Sequence, residues 1–346
     1  MVTIDVAVFN FNGKDVLERT LRSILASANV RIGRVYVIDD GSTDGGQKIA
    51  EKFDKVTLIQ LPENSKNLNV VRNAGLRAVK TERVLLTDND IEFQPDCLEQ
   101  LNKVMDEGAD VVAVTPRLLQ ADDRERIFLD RCGFHYIGAQ AACTRGLSVN
   151  DPAAKVNLSP APTMSGGILL LNRKVIPRDF GFDEAIPFDF GCDGEFYYRM
   201  AFMGYRCLTN PKAVAYHLVK QRSVERAEGH ITTRWYLLLT YYSWKTLVLS
   251  IPALFLYELL LFGFFVVKGI PHLYFKYYWL SIIRLGDTIK RRRKIQTLRR
   301  REDREVLCAD NIYIAPHLVR NPFFRYPFAL CNYILRGYWV LLQKII

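Results

Sequence analysis

The most constraining feature of this sequence is a short apolar run that ends in two carboxylates. Val84 to Thr87 has the length of a buried β-strand, and Asp88 and Asp90 follow it closely. At the end of a parallel strand, side chains point into the crevice where α/β sheets bind ligands. Two neighbouring carboxylates repel each other unless a cation lies between them. The run therefore predicts either a divalent metal that holds a phosphorylated substrate, or an Asp-rich turn that caps the helix beginning near Pro95.

Strand-like and helix-like segments alternate at short spacing through the first third of the chain. Such alternation is typical of a mostly parallel sheet with helices on its faces. No GxGxxG pattern follows the first strand and no GxxxxGK[ST] occurs, which disfavours a dinucleotide-binding fold or a P-loop. The fold class predicted is α/β. The predicted strands are 4–9, 35–38, 56–61, 84–87, 110–114, 168–171 and 213–217.

The middle of the chain has weaker periodicity. Residues 122–162 are rich in small and polar side chains, so we expect a lid or an irregular insertion there. Gly166 and Gly167 precede the strand at 168–171, and they would either let a ligand approach the backbone or form a simple bulge. An acidic cluster follows near the start of a predicted helix, and His217 ends the last predicted strand.

The bulk composition excludes a disordered chain, because 49% of the 346 residues are hydrophobic and 12% are aromatic. The net charge is +10, and much of it lies in the basic run 290–304. Such a run indicates a solvated face, a nucleic-acid patch or an anionic membrane surface. The seven cysteines have no CxxC spacing, which argues against a disulfide framework or a zinc site and fits a reducing compartment. No secretory signal pattern opens the sequence.

The composition changes after residue 230, where aromatic and aliphatic residues become dense. Residues 246–268 are apolar over 23 positions, a length that could cross a hydrocarbon core, but Pro252 and Glu258 interrupt them. Basic residues favour the cytoplasmic side of a membrane, and a single crossing would separate the basic run from a cytoplasmic first domain. We therefore expect a domain at 1–230 and a helical, membrane-associated region at 231–346 that lies in the interface or re-enters it.

Seven motifs in order over residues 1–220 resemble family 2 glycosyltransferases of the GT-A fold, including rhamnosyltransferase-like members. Each motif alone is weak, but their order and spacing make the resemblance strong. The matching segments are Phe9-Asn10-Phe11-Asn12-Gly13, Ile38 to Asp44, Arg72-Asn73-Ala74-Gly75, Asp88-Asn89-Asp90, Ser165 to Arg173 with Gly181 to Glu184, Cys192 to Glu195 with Arg199, and Gly204-Tyr205-Arg206 with His217. The apolar stretches and basic run also resemble the membrane-associated members.

The resemblance implies a nucleotide-sugar donor at the strand ends. Asp39 would accept a hydrogen bond from an N–H of the base, whereas Asp40 is as easily a turn residue. Arg72 would offer its planar fork to the base or the diphosphate, unless it is an ordinary surface arginine. The residues implied to bind the donor are Phe9, Asn10, Asn12, Asp39, Arg72, Asp88 and Asn89.

The resemblance also implies a metal and a base. Asp90, with His217 completing the shell, would hold Mg²⁺ or Mn²⁺ at the diphosphate, although His217 could instead be satisfied by backbone. Asp193 would take the proton of the acceptor hydroxyl, unless it only caps a helix. The acceptor and donor side would be formed by Ser165, Gly166, Gly167, Cys192, Glu195 and Arg199. Cys192 stands where the family usually has Glu and Glu195 where Asp is common, which leaves the acceptor open.

The predicted function is inverting transfer of a hexosyl or deoxyhexosyl unit from a nucleotide-diphosphate sugar to an acceptor hydroxyl. The membrane signals point to a glycan or a polyprenyl-linked acceptor on the cytoplasmic face of the membrane, with anionic lipids as partners. An inactive sugar-nucleotide-binding scaffold is the alternative. Nucleic acid is disfavoured because it would not account for the acidic clusters. The sequence leaves the sugar, the nucleotide and the oligomeric state open.

Overall fold

The computed structural model describes residues 2–142, 144–155, 167–176, 180–186, 192–217, 227–312 and 322–346. These residues form two compact units. Unit 1 comprises residues 1–131, 144–197 and 205–222, and unit 2 comprises 132–143, 198–204 and 223–346.

The strands are numbered in chain order: β1 (Thr3–Asn10), β2 (Arg31–Asp39), β3 (Val56–Gln60), β4 (Arg83–Asp88), β5 (Ile91–Phe93), β6 (Val111–Gln120), β7 (Ile127–Leu129), β8 (Cys132–His135), β9 (Gln140–Ala142), β10 (Ile168–Asn172), β11 (Arg206–His217) and β12 (Leu307–Cys308). The α-helices are α1 (Leu17–Leu25), α2 (Gln47–Ala50), α3 (Leu68–Ala78), α4 (Cys97–Met105), α5 (Cys192–Phe202), α6 (Ala227–Tyr241), α7 (Trp244–Leu249), α8 (Ile251–Val267), α9 (Pro271–Ile283), α10 (Leu285–Leu298), α11 (Asp303–Val306) and α12 (Pro322–Leu342).

Unit 1 is built on one large sheet with the strand order β3-β2-β1-β4-β10-β6-β11-β5, and β7 pairs with β6. The first four strands are parallel, and β1 is buried from Ile4 to Asn10, as expected for a central strand covered on both faces. The α/β class is therefore confirmed. The sheet is more mixed than predicted, because β10 runs antiparallel to both β4 and β6 and β5 runs antiparallel to β11. Strand direction is not encoded in an apolar run.

The segment 122–162 is not an irregular insertion throughout, which corrects the prediction. It contains β7, β8 and β9, and the side chains from Ile127 to Leu129 and from Cys132 to His135 are buried. Strands of three or four residues are too short to show the alternation on which the prediction relied. Strand β6 also runs on to Gln120, past the predicted end at 114. Residues 156–162 lie outside the described part.

Helix α3 packs directly on the parallel half of the sheet. Its first turn is capped by Asn67, whose side-chain oxygen accepts a hydrogen bond from the backbone N–H of Asn69. A Cβ atom at Gly75 would lie 2.9 Å from Ala7 Cβ and 3.0 Å from Phe9 Cε1. Glycine at this position therefore lets the helix approach β1 closely, which fixes where the residues of α3 stand relative to the strand ends.

Unit 2 consists mainly of α6 to α12 with the small sheet β12-β8-β9. Helix α8 packs against α9 and α12. Glu258, the acidic residue in the apolar stretch, pairs with the buried Arg234 of α6 and accepts hydrogen bonds from Tyr274 and Tyr278 of α9. The apolar stretch is divided at Ser250 into α7 and α8. No helix in the described residues combines the length and hydropathy needed to cross a membrane.

Candidate functional site

The residues singled out in the parallel half of the sheet lie at the C-terminal ends of neighbouring strands. Asn10 ends β1, Asp39 ends β2 and Asp88 ends β4. The registers pair Asn10 with Asp39 and Phe9 with Asp88, so the three strands finish level with one another. The carboxyl ends of parallel strands are where α/β sheets bind ligands.

A buried hydrogen-bond chain links these strand ends. The side-chain N–H of Asn10 donates to Asp39 Oδ2 at 2.6 Å, and Asn89 Nδ2 donates to Asn10 Oδ1 at 2.7 Å. Asn10, Asp39 and Asn89 are all at least nine-tenths buried. A Cβ atom at Gly13 would lie 1.9 Å from Asn89 Nδ2, so this glycine leaves the space that the chain needs. The predicted residues Asn10, Asp39 and Asn89 are thus brought together.

Two loops beside this chain are fastened to each other. Asn12, with a positive φ of 47°, donates its backbone N–H to Ser42 Oγ and accepts from the backbone N–H of Thr43, both at 2.9 Å. Burial acts to raise the pKa of Asp44, but hydrogen bonds from the backbone N–H groups of Lys14 and Gly46 outweigh it and lower that pKa. The turns after β1 and β2 are therefore held in one geometry.

Asp88 meets the start of β10. Its backbone N–H donates to the carbonyl of Gly167 at 3.1 Å, and a Cβ atom at Gly167 would lie 1.9 Å from Asp88 Oδ2. Gly167 also has a φ of +88°, which favours glycine. Gly167 thus makes room for the Asp88 carboxylate, a role that sequence reasoning did not assign. Ser165 and Gly166 lie outside the described residues.

Asp90 and His217 face each other. Nε2 of His217 lies 3.8 Å from Oδ1 of Asp90, beyond hydrogen-bond distance, and both side chains are mostly buried. The imidazole stacks on Phe128, with ring centroids 4.4 Å apart, and the guanidinium of Arg145 lies 4.6 Å from the Phe128 centroid. The ring of His217 is therefore held in place by an aromatic neighbour.

This pair fits a divalent cation as part of its ligand set. A carboxylate oxygen suits Mg²⁺ and Mn²⁺, and a neutral imidazole nitrogen is a common metal ligand. Among the described residues, no cluster of three or more His, Cys, Asp or Glu side chains is arranged to hold a metal. Water and a substrate phosphate could supply ligands to a cation beside Asp90 and His217.

Arg72 is not a surface arginine, so that alternative is wrong. Its side chain is 2% exposed, its guanidinium lies 5.4 Å from the centroid of the Phe182 ring, and Nη1 donates to Asn69 Oδ1 at 3.3 Å. Stacking on an aromatic face fixes the plane of a guanidinium. Arg72 is therefore held by the segment around Phe182.

Asn73 is a site residue that the sequence analysis missed. Its Oδ1 accepts from the backbone N–H of Phe182 at 2.7 Å, and its Nδ2 donates to the Phe182 carbonyl and to Glu184 Oε1. Asn69 and Asn67 donate to the carbonyls of Asp183 and Glu184. Helix α3 thereby holds the segment 181–184 along its length. The signal available was the pair of amide side chains at positions 69 and 73, which are one helical turn apart and follow the capping amide at 67.

Helix α5 begins at Cys192, so Asp193 lies in its first turn. A carboxylate is favoured there by the helix dipole. The side chains of Cys192 and Asp193 lie outside the described part, so their roles stay predictions. Glu195 is fully buried and Arg199 is 8% exposed. Helix α5 thus presents Glu195 and Arg199 to the interior rather than to solvent.

Comparison with known proteins gives the same assignment as the motifs. Residues 5–176 match the model of Glycosyl transferase family 2. The chain belongs to this family. The matched span includes the site residues described above from Phe9 to Gly167. Asp193 and His217 lie beyond it. The matched span covers the chain from β1 to β10.

Individual relatives are distant. The chain is 26% identical over 228 residues to "Uncharacterized glycosyltransferase alr2836" of Nostoc sp. strain PCC 7120, covering 62% of this chain and 64% of that protein. It resembles the crystal structure of GalNAc-T7 with UDP, GalNAc and Mn²⁺ at 14% identity and a TM-score of 0.55, covering 69% of this chain and 49% of the other. It resembles S. aureus TarS 1-349 at 17% identity and a TM-score of 0.53, covering 99% and 92%. The two structural likenesses show the GT-A fold. The chain spans less than two thirds of the length of alr2836 and of the GalNAc-T7 chain.

Proposed function

We propose that this family 2 glycosyltransferase transfers a sugar from a nucleoside-diphosphate donor to an acceptor hydroxyl, with inversion at the anomeric carbon. The observation that carries the proposal is the convergence at one sheet edge. There the chain from Asp39 through Asn10 to Asn89 lies beside Asp88, Asp90 and His217. In this proposal, acceptors for a base would lie beside ligands for a cation that neutralises the diphosphate.

Donor recognition falls to the buried strand ends. Asp39 already accepts hydrogen bonds from Asn10, from the backbone N–H of Ser42 and, at 3.4 Å, from Gln47. An ionised carboxylate offers about four acceptor positions, so one remains for an N–H of the base. The hydrogen bonds of Asp39 also fix its orientation before the donor arrives. Arg72, held by Phe182, would meet the base or the diphosphate with a preset guanidinium plane.

Asp90 and His217 would hold the cation, for which we propose Mg²⁺ or Mn²⁺. A divalent cation there stabilises the negative charge that develops on the departing diphosphate. The GalNAc-T7 structure, which shares the fold, was determined with UDP and Mn²⁺. The protein's own part is to orient the two ligands: the ring of His217 is held against Phe128, and Asp90 follows the end of β4.

We assign the proton transfer to Asp193. The acceptor oxygen attacks the anomeric carbon while its proton passes to the Asp193 carboxylate, and the bond to the diphosphate oxygen breaks on the opposite side of the sugar. This one-step displacement inverts the anomeric centre. General-base assistance contributes typically about 10²–10⁴-fold to such a rate.

We further propose that residues 1–230 form the catalytic domain and that residues 231–346 attach it to the cytoplasmic face of a membrane. The supporting observation is an exposed apolar stripe on α7 and α8, formed by Trp244, Val248, Ile251, Phe255 and Leu259. Within each helix the spacing is four positions, so Trp244 and Val248 share a face of α7, and Ile251, Phe255 and Leu259 share a face of α8. Their side chains are all more than half exposed, and α9 and α12 carry similar exposed residues. Apolar surface on this scale marks a contact with protein or membrane.

The basic run favours a membrane as the partner of this surface. Helix α10 carries Lys290, Arg293 and Lys294 in exposed positions, and each basic residue near an anionic leaflet contributes about 1 kcal/mol. Exposed Trp and Tyr side chains, such as Trp244 and Tyr333, suit the headgroup level of a bilayer. A membrane-bound enzyme would have access to a glycan on a lipid carrier, and we propose an acceptor of that kind.

The function is tested with the Asp193→Asn variant, measuring both nucleotide binding and turnover. We expect nucleoside diphosphates with Mn²⁺ to raise the melting temperature of wild type and variant alike, because the donor site is intact. Release of nucleoside diphosphate from a panel of nucleotide sugars, with membrane-extracted glycolipids as acceptors, should fall about 10²–10⁴-fold in the variant. EDTA should abolish release in the wild type.

The exposed Asp122→Asn exchange removes one carboxylate elsewhere in unit 1 and serves as the control, with an unchanged rate expected. Full release by Asp193→Asn would remove that residue from the mechanism. Nucleotide protection without any release in the wild type would favour a sugar-nucleotide-binding scaffold instead.

A further inference from the structure

A second cleft in unit 1 lies near the start of β4, at the opposite end of this strand from Asp88 and Asp90. Its volume is about 970 Å³. Because β10 is antiparallel to β4, with Asn172 opposite Arg83, the residues that follow β10 lie beside those that precede β4. The cleft runs from Asn73, in the middle of α3, to the residues just before β4 and just after β10.

The cleft is lined by four cations, Arg77, Lys80, Arg173 and Lys174, against one carboxylate, Glu82. This excess contrasts with its surroundings, because residues 1–200 carry 24 Lys and Arg against 29 Asp and Glu. A cleft lined by one sign of charge raises the local concentration of ligands of the opposite sign. The cleft is therefore suited to an anionic ligand in an otherwise acidic part of the chain.

Two of the four cations are already engaged. Nζ of Lys174 lies 2.7 Å from Glu82 Oε2, and Nη1 of Arg173 donates to the carbonyl of Val79 at 2.6 Å. Arg77 and Lys80 are exposed, and neither side chain forms a hydrogen bond or an ion pair within the described part of the chain, although the backbone N–H of Lys80 donates to Asp5. The positive charges of Arg77 and Lys80 are thus available to a ligand.

The rest of the lining combines apolar and polar side chains. The apolar ones are Leu76, Leu171, Ile176 and Phe180, and the polar ones are Asn73 and Thr81. Apolar and aromatic walls with a few placed charged groups are typical of sites that bind organic ligands, whereas a bare inorganic ion needs no such walls. The lining therefore suits an anion that is carried on a larger molecule.

The cleft is continuous with the segment that α3 holds. Gly181 and Asn73 line its upper end, and Asn73 is also the residue that hydrogen-bonds Phe182 and Glu184. A ligand in the cleft would therefore contact the segment 181–184, which resembles the acceptor-side block of the family. This continuity connects the cleft to the acceptor rather than to the donor.

Distance separates the cleft from the donor's own phosphates. Strand β10 leads from Gly167, which touches Asp88, to Arg173 in the cleft, and six residues of extended chain cover about 20 Å. A diphosphate at Asp88 and Asp90 does not reach that far. An extended acceptor would need several sugar units to do so.

We propose that this cleft binds an anionic group, phosphate or carboxylate, of the acceptor at a position remote from the reacting hydroxyl. The proposal rests on the proposed function and adds that the acceptor is an extended, negatively charged molecule. Arg77 and Lys80 supply the binding charges, while Arg173 and Lys174 are held by Val79 and Glu82.

The test compares wild type with an Arg77→Gln/Lys80→Gln variant by isothermal titration calorimetry. The probes are tetragalacturonate, farnesyl diphosphate and, as a neutral oligosaccharide, maltotetraose. We expect an anionic probe to bind the wild type and to bind the variant about tenfold more weakly, since two charge-assisted contacts are lost from a partly exposed site. Binding of tetragalacturonate assigns the anion to the glycan chain, and binding of farnesyl diphosphate assigns it to a lipid carrier.

The control is an Arg31→Gln/Lys55→Gln variant, which removes two exposed cations of unit 1 outside the cleft and should bind like the wild type. The proposal is overturned if neither anionic probe binds more tightly than maltotetraose, or if both double variants behave alike. Thermal protection by nucleoside diphosphate and Mn²⁺ is measured on the same samples. Its absence from the wild type would count against the proposed function, while the probe titrations would still decide the cleft.

Discussion

Units 1 and 2 differ in how many large apolar side chains they expose. Of the large apolar side chains that are exposed in the described part of the chain, Phe11 belongs to unit 1 and the other twenty belong to unit 2. Both units bury charged groups, such as Arg117 and Asp130 in unit 1 and Arg234 and Asp303 in unit 2. The units therefore differ in their exposed apolar side chains.

The buried polar groups of the two units also differ in what they face. In unit 1, Asn10, Asp39 and Asn89 gather at the ends of strands, where a ligand can complete their hydrogen bonds. In unit 2, Arg234 forms an ion pair with Glu258 inside the fold. Burial alone would lower the pKa of Arg234, but the charge of Glu258 outweighs burial and raises that pKa. The comparison indicates that unit 1 gathers polar groups at strand ends in addition to pairing Arg117 with Asp130 inside the fold, whereas unit 2 turns many large apolar groups outward.

The largest expected effect comes from breaking the inner ion pair of unit 2. Glu258→Ala leaves the guanidinium of Arg234 buried without its counter-charge, and such a loss costs about 3–5 kcal/mol in the free energy of unfolding. The double variant Arg234→Met/Glu258→Leu should cost less, because no uncompensated charge remains. All four tryptophans lie in unit 2, so their fluorescence during urea unfolding reports on this unit.

The matched control in unit 1 is the more exposed pair between Arg206 and Asp110, which is joined by hydrogen bonds of 2.7 and 2.8 Å. Asp110→Ala should cost no more than about 1 kcal/mol, because surface ion pairs contribute little. Circular dichroism follows the unfolding of both variants. Equal losses for Glu258→Ala and Asp110→Ala would show that the pair in unit 2 is no more important than a surface contact.

The sequence could predict the strand ends of unit 1 because their signals are local. The apolar run before Asp88 and the position of His217 at the end of β11 both follow from residues next to each other in the chain. Local pattern therefore predicted the strand ends, whereas the pairing of His217 with Asp90 came from the family resemblance.

What the sequence could not predict depends on partners distant in the chain. Glu258 was read as an obstacle within an apolar stretch, and its partner Arg234 stands 24 positions away in another helix. Asn73 holds a segment 109 positions further on, and Gly167 makes room for Asp88 from a strand whose direction was not encoded. These contacts arise only when the sheet and helices are assembled, so apolar periodicity carries no sign of them.

A smaller effect on stability, and a larger one on binding, is expected from Asn10→Ala in unit 1. The exchange removes the partner of Asp39 Oδ2 and of Asn89 Nδ2, and each buried polar group left unsatisfied costs about 1–3 kcal/mol. Thermal protection by nucleoside diphosphate with Mn²⁺ should disappear, because Asp39 loses its fixed orientation. The exposed Asn150→Ala exchange is the control. If the nucleotide still raised the melting temperature of Asn10→Ala in full, the hydrogen bonds of Asn10 would serve folding alone, as the ion pair in unit 2 does.

The smallest effect on stability is expected where unit 2 turns its apolar residues outward. Phe255 and Trp279 are 63% and 62% exposed, so replacing either with Ser should change the free energy of unfolding by no more than about 0.5 kcal/mol. Each side chain contributes about 1.5–3 kcal/mol when fully buried in an apolar phase, so binding to phosphatidylglycerol vesicles should weaken about tenfold or more per exchange. Phe11→Ser, which removes the exposed aromatic residue of unit 1, should leave vesicle sedimentation unchanged. Large losses of stability for Phe255→Ser and Trp279→Ser would mean that these residues pack within the protein. Sedimentation that was equally weak for Phe11→Ser would show that the apolar surface of unit 2 has no special part in membrane binding.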